Sequence, residues 1–194
     1  MKHLMIDLET MDNKPTSAIA SIGAVFFDPE TGEMGEQFYQ RVSLGSCVGH
    51  GLTMGSETVL WWMRQDAEAR SELLNDDCLD LPLALANLES FITEHSDPSK
   101  VQVWGNGAAF DNVILRNASD KCGFADPLWY CWNDRDVRTV VELSKTLGLN
   151  VRNIIKFDGV KHHALYDAIH QAKVVSYVWM YLVKIKSVTF RGIQ

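Results

Sequence analysis

The 194 residues are 46% hydrophobic and 22% charged, which fits one soluble globular domain over 1–194 rather than a disordered or fibrous chain. No apolar stretch is long enough to span a membrane, and the N-terminus enters an apolar run holding two acids, with no secretory pattern. The net charge of −7 argues against coating long duplex nucleic acid, and four cysteines without CxxC spacing argue against a structural zinc site and for reduced thiols in the cytoplasm.

Residues 3–8, 18–28 and 35–43 read as three strands. Asp28-Pro29-Glu30-Thr31-Gly32 is turn chemistry that makes the second and third a hairpin. In the first strand Asp7 and Glu9 stand at i and i+2, on one face, with Leu8 turned to the core. Two neighbouring carboxylates repel, and a divalent cation between them removes that cost. A solvated strand end is the plainer alternative at this point. Residues 56–64 read as a short helix capped by Ser56. It carries the adjacent pair Trp61 and Trp62. One of the two is expected in the core and the other against a base, and Trp62 is taken for the second role.

Residues 82–95 read as a helix, with Leu83, Leu85, Leu88, Phe91 and Ile92 at helical spacing and Pro82 in the first turn. Strand 101–105 follows, ending in a Gly-rich turn. Helix 109–119 comes next, which places Asp111 in a first helical turn. A short strand is expected near Trp129–Trp132. Residues 137–147 read as a helix ended by Gly148. The last helix opens near His162 and runs to about Ile185, with Ala168, Ala172, Val175, Trp179 and Leu182 on one stripe. His162 and Asp167 are five residues apart, about 140° around a helix, so His162 belongs on the preceding loop. His163, four residues before Asp167, reads as a local polar contact. A hairpin plus strands reached through helices predicts an α/β fold with a mixed sheet.

The charge is unevenly spread. Residues 1–134 hold 8 Lys and Arg against 21 Asp and Glu, a net of −13, and residues 135–194 hold 10 against 4, a net of +6. The basic part, with Arg135 and Arg138 at its start, suits gripping a few phosphates. Carboxylate ligands without paired cysteines suit Mg²⁺ or Mn²⁺.

Asp7, Glu9, Asp111, His162 and Asp167, in this order, resemble the motifs of the DEDDh 3′→5′ exonucleases of the ribonuclease H-like superfamily. Asp7-Leu8-Glu9-Thr10-Met11, the Thr58–Trp62 segment and Trp132-Asn133-Asp134-Arg135-Asp136-Val137-Arg138-Thr139 are similar to exonuclease A of T-even phages and to related bacterial exoribonucleases. That likeness spans roughly residues 3 to 180 and implies a phage or prophage origin. The resemblance implies a ribonuclease H-like mixed sheet with helices on both faces. It implies two Mg²⁺ or Mn²⁺ held by Asp7, Glu9, Asp111 and Asp167, with Asp7 bridging and His162 as general base. Thr10, Met11, Trp62, Phe110 and Arg138 are the candidate substrate contacts. The expected substrate is nucleic acid with a free, single-stranded or overhanging 3′ end, DNA favoured over RNA, releasing nucleoside 5′-monophosphates. A 3′→5′ exoribonuclease is the alternative. An inactive nucleic-acid binding module is the second, and an interaction protein using the apolar last helix leaves a homodimer open.

Overall fold

The computed structural model describes residues 1–71, 73 and 77–189, with the side chains of Arg152 and of residues 186–189 outside that description. Five strands form one sheet: β1 (His3–Thr10), β2 (Ile19–Phe27), β3 (Met34–Arg41), β4 (Gln102–Gly105) and β5 (Asp134–Asp136). Their order is β3-β2-β1-β4-β5. β2 and β3 pair antiparallel, as do β1 and β2, whereas β4 runs parallel to β1 and β5 parallel to β4. The sheet is therefore mixed. Its parallel half brings the carboxyl ends of β1, β4 and β5 to one edge, where ligands bind in open α/β sheets.

Alternation along β1 divides the core. Leu4, Ile6 and Leu8 join Ile22, Ala24 and Phe26 on one face, under α4 (Leu81–His95) and α5 (Asp111–Cys122). Met5 joins Val25, Phe27 and Trp104 on the other, under α6 (Val137–Thr146) and α8 (Ala164–Thr189). Helices thus cover both faces, and the chain also forms the short helices α1 (Leu44–Gly49), α3 (Ala67–Ser71) and α7 (Val151–Ile154). Asp7 and Glu9 follow Met5 on the α8 face, as period-two geometry requires. The start of α8 lies hard against β2, and a Cβ at Gly23 would collide with the backbone of Ala164 and Leu165. Gly23 is the cross-strand partner of Asp7, so this glycine lets α8 descend onto the acid-bearing row.

Three expectations about elements change. The short helix α2 (Ser56–Met63) is capped by Gly55, with Ser56 already helical. Gly55 donates its N–H to the Met11 carbonyl at 2.7 Å, and a Cβ there would fall 2.6 Å from an Asp12 carboxylate oxygen. The edge strand is Asp134–Asp136, not 129–132. Trp129 is buried and donates its indole N–H to Asp134, while Tyr130 and Trp132 stack on each other outside. Strand propensity of the aromatic run is overridden by this tertiary use. On α8, Ala168, Ala172 and Val175 are buried, but Leu182 is 41% exposed, because the helix has run past the sheet.

Candidate active site

Strand β1 supplies Asp7 and Glu9, the first residue of α5 supplies Asp111, and the first turn of α8 supplies Asp167. Each of Asp7, Glu9 and Asp167 offers an oxygen within 4.8 Å of the others. Asp111 completes the group from across β1, its Oδ1 accepting the Leu8 N–H at 3.2 Å. Gly105 leaves room for this. A Cβ there would meet Asn112 Oδ1 at 2.7 Å and Asp111 Oδ2 at 3.1 Å. All four line one cavity of about 490 Å³, with Thr10, Trp61, Phe110, Arg138, His162 and Gln171 also in its wall.

The electrostatics are those of acids with too few partners. The Asp7 carboxyl is raised well above its usual range by burial first, then by Asp111, Glu9 and Asp167. Against these, the hydrogen bond from Gln171 pulls it down. Burial likewise raises Asp111, to about 7, despite backbone N–H donors and the Arg138 charge. Asp167 is raised by burial and held back by His162 and by the amides of His162 and His163. Its Oδ2 is buried without a hydrogen-bond partner. Crowded oxygens, an orphaned one among them, suit a hard divalent cation that takes oxygen ligands.

His162 lies on the loop just before α8 with φ +60°, a left-handed conformation uncommon outside glycine and typical of functional sites. Its ring stands edge-on to Trp61, centroids 5.0 Å apart. His163 turns elsewhere. Its ring stacks on Tyr39 at 4.2 Å and meets Tyr166, and its carbonyl accepts the Asp167 N–H. The local contact with Asp167 is thus made by backbone.

The substrate candidates divide. Thr10, Phe110 and Arg138 line the cavity. Met11 does not. It packs in the core at 4% exposure, and its N–H and C=O are spent on Ala18 and Gly55. The two tryptophans both line the cavity but differ in exposure. Trp62 is 2% exposed, its indole N–H bound to the Thr10 carbonyl at 3.0 Å, so only its edge reaches the cavity. Trp61 is 40% exposed, its ring meeting Trp62 and His162 edge-on. Asp136 pairs with neither neighbouring arginine. It caps α6 by accepting the Thr139 N–H and takes the Ala108 N–H at 2.7 Å. Gln171 escaped the sequence reading, although its position four residues after Asp167 on a helix is the signal that places it on the same face.

A family model described as the 3′-5′ exoribonuclease Rv2179c-like domain matches residues 2–179. The chain belongs to that family. No curated protein matches it by sequence. Among solved structures it is similar to the nuclease domain of 3′hExo, a DEDDh family member bound to rAMP. There the identity is 13% and the TM-score 0.58, with 90% of each chain covered. It is also similar to the zinc-bound complex of Escherichia coli exonuclease I with single-stranded DNA, at 17% identity and a TM-score of 0.63, covering 98% of this chain and 42% of that one. Exonuclease I of Methylocaldum szegediense matches at 13% identity and a TM-score of 0.63, covering 94% and 42%. The chain thus spans nearly all of the 3′hExo nuclease domain but less than half of exonuclease I. These likenesses show the ribonuclease H-like fold, a mixed sheet with flanking helices. Among the described residues no helix is long and apolar enough to cross a membrane.

Proposed function

We propose that residues 1–194 form one exonuclease domain. It is a two-metal 3′→5′ exonuclease that removes nucleoside 5′-monophosphates from unpaired 3′ ends. RNA is the favoured polymer, because the matched family is one of exoribonucleases; DNA is supported by the likeness to phage exonuclease A and by the fold shared with exonuclease I, which was solved with single-stranded DNA. The carrying observation is the convergence of Asp7, Glu9, Asp111 and Asp167 with His162 on one cavity. Retention of all five residues disfavours an inactive binding module, which needs none of them.

Two Mg²⁺ or Mn²⁺, when bound, supply acidity to the attacking water and neutralise charge on the phosphate. The four carboxylates would hold the ions, with Asp7 at the centre of the group. His162 accepts the proton of the water, from a loop able to approach the scissile phosphate. Arg138, exposed at the start of α6 and facing Asp111, meets a phosphate oxygen. The Trp61 ring stacks on a terminal base, which is sequence-tolerant, and Phe110 borders the base on the other side. Thr10 faces the terminal sugar. Four free cysteines accord with a cytoplasmic setting. Exposed Leu182, Val183 and Ile185 near the end of α8 favour a homodimer, which light scattering of the full chain tests.

The deciding experiment incubates 5′-labelled single-stranded RNA and DNA of equal sequence with Mg²⁺, Mn²⁺ or EDTA. A ladder shortening from the 3′ end, with RNA cut faster, is expected. Cleavage in EDTA, or cutting of a closed circular strand, overturns the reading.

A further inference from the structure

The residue of α8 nearest in role to the acids is neutral. Gln171 is 7% exposed and donates from Nε2 to Asp7 Oδ1 at 2.7 Å. It lies four residues after Asp167, so one helical turn sets a ligand and then a donor above β1. Its other end is costly. Oε1 is buried without a hydrogen-bond partner, and an unpaired buried acceptor is a penalty that an apolar side chain of the same length would not carry. Packing alone therefore does not account for a carboxamide here. The Nε2 contact to Asp7 does.

Charge explains why the donor is an amide. A Lys or Arg in this position would neutralise Asp7 and weaken its pull on a cation. An acid would add a fifth repelling carboxylate. A carboxamide gives a directed N–H with no net charge. The terminal torsion of an Asp side chain is broad, so without a fixed donor the plane of the Asp7 carboxylate is poorly defined. With Oδ1 tied to Gln171, the carboxylate is held in one orientation beside Glu9 and Asp167.

We propose that Gln171 is a positioning residue that sets the plane of the Asp7 carboxylate for divalent-cation binding. The inference rests on the two-metal reading above. Partners of this kind, one step removed from a metal, typically change affinity ten- to a hundredfold.

The test is calorimetric titration of the full apo chain with Mn²⁺ alone, using wild type, Gln171→Met and Gln171→Ala. Met keeps the length and packing of the side chain and removes the donor; Ala removes both. Both variants are expected to bind Mn²⁺ about ten- to a hundredfold more weakly, to nearly the same degree. Turnover of either should recover as Mn²⁺ is raised. Melting in EDTA reports folding, and Met is expected to stay close to wild type or above it. Equal Mn²⁺ affinity in wild type and Met overturns the inference, as does weakening in Ala alone, which would make Gln171 a packing residue. Unchanged affinity with turnover lost at saturating Mn²⁺ would place Gln171 on the substrate, also against it. Failure of wild type itself to bind Mn²⁺ would sink the two-metal reading instead.

Discussion

Asp7 and Asp134 are acids on strands of the same sheet with opposite surroundings. Asp134, at the start of β5, is served from three directions: Asn112 Nδ2 and Trp129 Nε1 at 2.8 Å each, and the Arg116 guanidinium. Those donors, Arg116 first, outweigh the effect of burial and hold its carboxyl below the usual range. Asp7 has one neutral donor, Gln171, and three acids beside it, and its carboxyl is pushed far up. The difference separates an acid whose charge is paired within the fold from one proposed to serve the chemistry. The first has its charge answered within the chain; the second has only the Gln171 donor, and under the proposed function a cation would answer the rest. The Asp134 corner also serves the site, since Asn112 ties the first turn of α5 to β4 and β5 and so fixes where Asp111 stands.

The largest separation between the two corners should appear on removing an acid. Asp7→Asn or Asp167→Asn is expected to reduce exonuclease turnover to background, as EDTA should in wild type. The melting temperature in EDTA should rise, because a repelling charge is gone. Turnover near wild type in either variant would break the comparison on the Asp7 side. His162→Ala comes next. Loss of a general base typically costs about 10²–10⁴-fold, with Mn²⁺ binding retained because the carboxylates remain. His163→Ala should cost far less in single-turnover assays, since its ring is engaged by Tyr39 and Tyr166.

The contrast between the two corners also marks what was legible in sequence. Asp7 and Glu9 could be placed on one face because strand periodicity is local and rigid. Asp111 could be placed at a helix start because Gly105 and Gly107 punctuate the chain there. His162 could be put on a loop because five residues do not close a helical face. What could not be read depends on partners distant in sequence. The segment 129–132 looked like a strand by composition, whereas the strand that forms is the polar Asp134–Asp136, whose acids find Arg116, Asn112 and backbone amides. Which of Trp61 and Trp62 is buried is set by the Thr10 carbonyl, 52 positions from Trp62. The donor to Asp7 is 164 positions away.

On the paired side, Asp134→Asn should leave the chemistry and cost stability. It strands the Arg116 charge, itself less than one-third exposed, and weakens two further hydrogen bonds. A loss of about 1–3 kcal/mol in unfolding free energy is expected from an unsatisfied, partly buried partner. Activity per folded molecule should stay within a few-fold of wild type. A denaturant midpoint equal to wild type would show that this network contributes nothing. Turnover lost without any loss of stability would make Asp134 part of the active site.

The smallest effect per unit change is the response to pH, and there the two corners should differ in sign. Asp111 has its carboxyl raised from 3.8 to about 7 by burial. The folded state therefore holds its proton more tightly than the unfolded state does. Its contribution to stability is fully present below the unfolded value and is lost as pH rises through about 7. Asp7 and Asp167, also raised, act in the same direction. Asp134 is lowered, so its contribution is present above the unfolded value and is lost only as pH falls through its folded one. In EDTA the unfolding free energy should decline between about pH 4 and 7, at no more than about 1.4 kcal/mol per pH unit for each group. Asp111→Asn should flatten that decline, and Asp134→Asn should leave it in place. Excess Mg²⁺ should abolish it, because a cation bound by the ionised acids stabilises the form that high pH produces. Urea titrations across this range, with and without Mg²⁺, measure all three. Stability that climbs with pH in EDTA would mean that the cavity acids are already paired within the chain, and the distinction between the two corners would fall.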